Sequence, residues 1–293
     1  MSKLTHLFSV LMALAAGVVG TQSPVESYQR WLMIIKPNVV GPAPYTGALT
    51  QPEVDNITFA FLNTWPETIS SLTSGRLQLE THVLVSPCPL TSTSKSYPGM
   101  ITPDDLPDDV AVHVSPDLWD GVAVYAAFTE HAMWGISSAA NVGWFSVSHT
   151  PNLTADSWAM AAWTHEYLHT LAWYFGNGRL GNVAPVCNSA RDGRDGTHCG
   201  EEIGYRMGEQ GRKDLLGYYG DYLNGVVRRE GGRTGLGSRA WKLGTRREAY
   251  MKVQPGGLVP GGLKKREVWD GEAHEKRQVT PWNGDDDTGT AWD

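Results

Sequence analysis

Residues 157–175 read SWAMAAWTHEYLHTLAWYF, and within them His165-Glu166-Tyr167-Leu168-His169 forms an H-E-x-x-H pattern. No proline or glycine interrupts the stretch, which therefore predicts a helix. On a helix, positions i and i+4 lie one above the other on a single face, so His165 and His169 direct two imidazoles at one point. Two convergent imidazoles are what a tetrahedral zinc takes from two of its ligands. Glu166 follows His165 by about 100° round the helix. From there its carboxylate reaches a water on the metal without ligating the metal itself. The competing reading is an ordinary buried helix with two core histidines. Against it, three ionisable groups in one apolar turn are costly to bury without a shared partner.

Working outward toward the N-terminus, the segments before this helix read as strands. Trp31 to Ile35 (WLMII) is a short apolar strand stopped by Lys36-Pro37. Val54, Ile57 and Phe61 recur at helical spacing and predict a short helix over 52–62. Pro66 suits a first helical position, so a second helix is expected from there to about Ser74. Residues 76–86 (RLQLETHVLVS) alternate polar and apolar side chains and predict a strand. Residues 86–108, with five prolines, predict loop, and 110–114 a further strand. Residues 121–128 (GVAVYAAF) are continuously apolar, as in a central strand covered on both faces. A last strand, 143–148 (GWFSVS), stands just before the helix.

The ends of the chain have a different character. Leu7 to Val19 is an apolar run behind Lys3 and His6 and ends in small residues, which predicts a secretory signal over 1–20 and a secreted, extracellular protein without a membrane span. The sequons at Asn56 and Asn152 are then candidate glycosylation sites. In an oxidising compartment two of the three cysteines should pair, and Cys187 with Cys199, which bracket a short Gly/Asp/Arg-rich loop, is the favoured pair; Cys88 with either remains open. A net charge of −7 argues against a nucleic-acid partner. Twelve tryptophans fit either a Trp-rich core or a peptide- or sugar-binding surface. From Gly225 onward the chain turns glycine-rich and basic, then acidic, and carries 13 of the 24 Lys and Arg residues. Without sustained periodicity, 225–293 is expected to be mostly disordered, with a basic partner-binding arm as the alternative. The catalytic domain is accordingly expected over 21–224.

Several strands followed by an H-E-x-x-H helix is the element order of the zincin metallopeptidases, which this part of the chain resembles. The resemblance implies an α+β, zincin-like fold: a mixed twisted sheet packed on the active-site helix, then a loop-rich C-terminal subdomain. In that family an edge strand beside the cleft pairs with extended peptide substrate. Residues 143–148 are the candidate for it, an ordinary sheet strand being the equal alternative. The metzincin completion is excluded, because Ala172 and Phe175 hold its glycine and third-histidine positions. Closer is a group of secreted zincin-like proteins with H-E-[FWY]-L-H-T-L, then H-x-x-E-x-x-G-Y, then a Tyr-rich segment ending in N-G. Here these read His165–Leu171, then His198, Glu201, Gly204 and Tyr205, then Tyr218-Tyr219-Gly220-Asp221-Tyr222-Leu223-Asn224-Gly225.

The third metal ligand is open among Asp192, Asp195, His198, Glu201, Glu202 and Asp214. His198 comes first, since imidazole suits zinc, and Glu201 second, as ligand or as a carboxylate orienting one. Tyr205 is the first candidate to donate a hydrogen bond to an oxyanion, and Tyr218, Tyr219 and Tyr222 are others, with core packing the competing role for each. The expected activity is a monomeric zinc-dependent hydrolase, chiefly an endopeptidase acting on peptide or protein, with Glu166 as general base. The alternatives are an inactive zincin-fold protein that binds peptide or glycan, and a zinc hydrolase of a non-peptide bond.

Overall fold

The computed structural model describes residues 24–41, 46–94, 101–106, 113–126, 135–138, 142–148, 153–154, 158–186 and 211–253. The signal segment, Asn152, Cys187, His198, Cys199, Glu201 and Tyr205 all lie outside them.

Five strands form the main sheet, in the order β4-β1-β5-β7-β6. They are β1 (Ser27–Lys36), β4 (Leu77–Val85), β5 (Gly121–Ala126), β6 (Gly135–Ser138) and β7 (Gly143–Ser148). Four of these run parallel, with Trp31 opposite Gly121 and Gly121 opposite Gly143, while β6 closes one edge antiparallel to β7. The apolar reading of 121–128 holds over β5, which is buried at every position in the middle of the sheet. Its side chains divide by parity: Ala123 and Tyr125 join one core, and Val122, Val124 and Ala126 the other. β4, which alternates as read, lies at the other edge. Residues 143–148 are not the edge: β7 sits between β5 and β6, and β6 takes the edge place. The strand expected at 110–114 falls partly outside the described residues, and His113 lies in a turn.

Helices cover one face. The helices expected at 52–62 and 66–74 are one continuous run: α1 (Gln51–Phe59), a π turn (Ala60–Thr64) and α2 (Trp65–Leu72). Pro66 does not start a new helix. A proline inside an α-helix clashes with the carbonyl four residues back, and here the wider turn, with Trp65 N–H donating to the Ala60 carbonyl, accommodates it. The run begins at Thr50, whose N–H and hydroxyl both donate to the Glu53 carboxylate at 2.7 Å.

The core on this face is aromatic. Trp31 meets Trp65 edge-on at 5.7 Å and Tyr167 at 5.2 Å, and Phe61 stacks on Trp65 at 5.0 Å. Trp31, Trp65, Trp144, Trp163 and Trp241 are all buried, so these tryptophans build core rather than a surface. The opposite face is covered by the loops after β4: Leu90, Ile101 and Leu106 pack there, and Trp144 Nε1 donates to the Ile101 carbonyl at 2.9 Å. Two short hairpins, β2 (Asn38–Val40) with β3 (Thr46–Ala48) and β8 (Arg228–Arg229) with β9 (Arg233–Thr234), complete the strands.

The expectation of disorder from Gly225 is corrected over 225–253. That segment carries β8, β9, α5 (Ser238–Trp241) and α6 (Arg246–Val253), and buries Val227, Leu236, Ala240 and Trp241 in the helix-side core. Its order comes from distant partners, which local composition does not record. Thr234 N–H donates to the Asn182 carbonyl at 2.9 Å, Leu236 N–H to Tyr222 at 2.8 Å, and Trp241 packs edge-on against Phe175 at 5.8 Å.

Candidate metal centre

The H-E-x-x-H helix is α3 (Trp158–Phe175), and it packs on β6 and β7 on one side and on α2 and on α4 (Gly211–Leu223) on another. A helix this apolar is one that is covered on most sides, and here Trp173 near its end is the exposed exception at 41%. Ala159, Met160, Trp163, Tyr167, Leu168, Leu171 and Phe175 are all buried, and so are His165 and Glu166, at 4% and 8% exposure. Tyr167, between the two histidines, points the other way and donates to Gln29 Oε1 on β1 at 2.9 Å, which fixes the rotation of the helix against the sheet. Burial pushes the Tyr167 hydroxyl well above its ordinary range, so it stays a donor.

With the rotation fixed, His165 and His169 present their Nε2 atoms to each other at 3.0 Å, their rings nearly perpendicular with centroids 4.6 Å apart. Two nitrogens on one tetrahedral zinc, each at about 2.0–2.1 Å, stand roughly 3.3 Å apart. The observed separation is within a few tenths of an ångström of that spacing, so the pair fits zinc in donor type and in spacing. The other nitrogen of His165, Nδ1, lies 3.0 Å from the Tyr219 hydroxyl on α4. Tyr219 is buried, and its phenol is held well above the ordinary range, first by burial and then by the nearby charges of Tyr218 and Glu166. His169, His165 and Tyr219 thus form one hydrogen-bonded chain, with the buried Glu166 next to His165 on the helix.

The remaining site residues separate clearly. Among the described residues no third His, Cys, Asp or Glu joins the pair in a group able to hold a metal. His198, Glu201 and Tyr205, the first-ranked completions, fall in 187–210, outside the described residues, between the turn after α3 and α4. The Cys187–Cys199 pairing lies outside them as well, while Cys88 is half-buried just beyond β4. Asn56 is exposed on α1. Tyr222 is buried, and its hydroxyl donates to the Ala184 carbonyl, away from the histidines. Tyr218 packs edge-on beside Tyr219 at 5.6 Å. Tyr219 of YYGDY hydrogen-bonds a motif residue, and nothing in the spacing of the three tyrosines marks it out from its neighbours. The chain matches no family model and no curated protein.

Proposed function

We propose that the chain is a secreted zinc-dependent hydrolase of the zincin type, acting as an endopeptidase. The observation that carries this reading is the pair of Nε2 atoms facing each other at 3.0 Å on a buried helix, with a buried carboxylate next to the first of them. His165 and His169 would hold the ion, with His198 as third ligand and Glu201 the alternative. Bound there, zinc supplies the Lewis acidity that makes a water nucleophilic near neutral pH. Glu166 moves the proton: its carboxylate takes it from the attacking water and returns it to the leaving amine. Burial sharpens that role, because a carboxylate out of bulk water exchanges protons with its neighbours rather than with solvent.

A peptide substrate has a place to pair. Among the described residues β6 is an edge strand, antiparallel to β7 and packed against α3, so an extended chain added beside it would run past the motif helix. Against the reading as a binding module, five of the twelve tryptophans that would line its surface are in the core, while Trp173 on the motif helix is exposed.

Glu166→Gln is the decisive variant. It should keep one zinc per chain by elemental analysis while its cleavage of a mixed peptide library falls by a factor of about 100 or more. Wild-type protein that takes up no zinc, or a variant that cleaves at the wild-type rate, would sink the proposal.

A further inference from the structure

We propose that Trp173 is a specificity-determining residue of the candidate site: its exposed indole forms a subsite for a bulky apolar or aromatic side chain of the peptide substrate, close to the scissile bond. The inference rests on the zinc-peptidase reading above and adds to it a substrate class and a residue outside the motif.

The burial of α3 shows which of its sides is open. From Ala159 to Phe175 every position is buried except Ala162, His169, Ala172 and Trp173. At about 100° per residue these four fall within one stripe roughly 100° wide. His165 lies inside that stripe, and Glu166 only about 20° beyond its edge. The side of the helix that carries the motif is therefore also its least covered side. Within the run Trp173 is exposed where the other three are half-buried. It follows His165 and His169 at i+8 and i+4, so the three stand on one ridge of the helix.

A tryptophan presents a broad apolar face, and burying that face against an apolar group is favourable. Trp31, Trp65, Trp144, Trp163 and Trp241 achieve this in the core, whereas Trp173 keeps 41% of its surface in water one turn beyond His169. One turn of helix rises about 6 Å over four residues. An extended peptide rises about 3.3 Å per residue. A substrate whose scissile carbonyl sits at the histidines therefore brings a side chain over the indole within about three residues of that bond. Phe, Tyr, Leu or Met would cover the ring without taking a charge out of water. A cationic side chain, which an indole face can also hold, is opposed by Arg179, whose guanidinium lies 4.1 Å over the ring of Tyr174 at the same end of the helix.

The test is a peptide library varied at each position near the scissile bond, read as kcat/KM for wild type, Trp173→Ala, Trp173→Phe and Phe59→Ala. Wild type should favour Phe or Leu over Ala or Lys at one position by a factor of about 10–200. In Trp173→Ala that preference should shrink to within about twofold, through a raised KM for the Phe and Leu peptides, while zinc per chain stays at the wild-type level. Trp173→Phe should keep most of the preference. Phe59→Ala removes an exposed aromatic from α1, away from the motif helix, and should leave the preference as it is in wild type. A preference that survives in Trp173→Ala, a loss equal for all peptides, or a wild type that cleaves without favouring apolar side chains would overturn the inference and leave the zinc peptidase standing. Wild type that takes up no zinc or cleaves no peptide would overturn both.

Discussion

Gly121 opens β5 beneath the six-membered ring of Trp31: a Cβ built there would lie 2.2 Å from Trp31 Cη2 and within 2.4 Å of two more ring atoms. The ring in turn is locked against Trp65, Phe145 and Tyr167, so it cannot withdraw. Overpacking of this kind costs about 1–3 kcal/mol, and Gly121→Ala should lower the urea midpoint accordingly. Gly217 is the counter-case. It sits on the exposed side of α4, and a Cβ there meets nothing within 4 Å. Gly217→Ala should therefore gain about 0.5–1 kcal/mol from helix propensity alone. The same methyl thus moves stability in opposite directions at two glycines that look alike in the sequence. The chemistry of His165, Glu166 and His169 could be read directly, because helical spacing alone puts the two imidazoles on one face. The place of Tyr219 could not, because it depends on how α4 docks, and that is set by partners as far away as Leu72 and Ala184.

At the scale of elements, docking shows most clearly where α6 meets the sheet. Asp120, 3% exposed at the entrance to β5, accepts the Arg30 N–H on Oδ2 at 2.9 Å and the Arg247 N–H on Oδ1 at 2.8 Å. One carboxylate therefore satisfies a backbone donor of β1 and an N-terminal donor of α6, where a negative charge also complements the helix dipole. Beside it Arg246 is buried, donating to the Thr170 carbonyl and lying 4.8 Å over the Tyr174 ring. Burial depresses the Arg246 pKa to about 10, with Tyr174 and Asp120 acting to raise it. Asp120→Asn keeps the shape and removes the charge, leaving a single acceptor oxygen for two donors on opposite sides. It should cost about 1–3 kcal/mol in denaturant and speed amide exchange over Arg246–Val253 more than elsewhere. β4, β5 and α3 were legible as elements because their hydrophobic patterns are long and uninterrupted. α1 and α2 were read as separate because Pro66 looks like a start signal, and the π turn that absorbs it has no sequence signature.

For the whole molecule, the question is where the folded unit ends. Composition placed the boundary at Gly225, since glycine and charge lower the apolar density of every window after it. Yet the contacts of 225–253 reach the start of the described chain and the motif helix. Ser238 Oγ donates to Glu26 Oε1 at 2.8 Å and accepts from Arg76, and the Tyr174 hydroxyl donates to the Thr245 carbonyl at 3.0 Å. Fully burying a residue such as Val or Leu is worth about 1.5–3 kcal/mol, so Val227, Leu236 and Trp241 together approach the total stability of about 5–15 kcal/mol that a domain possesses. Cutting the chain after Asn224 would also leave Tyr222 and Leu223 uncovered and remove the strand partner of Val183. A chain ending at Asn224 should therefore lack a cooperative thermal transition, whereas one ending at Val253 keeps every contact described above and should melt within a few degrees of the full-length protein. The pair also bears on the metal centre, because the segment from 225 braces the helix that carries Tyr219. If the shorter chain melts cooperatively and binds zinc as tightly as the longer one, then 225–253 is an appendage and the boundary read from composition is the right one.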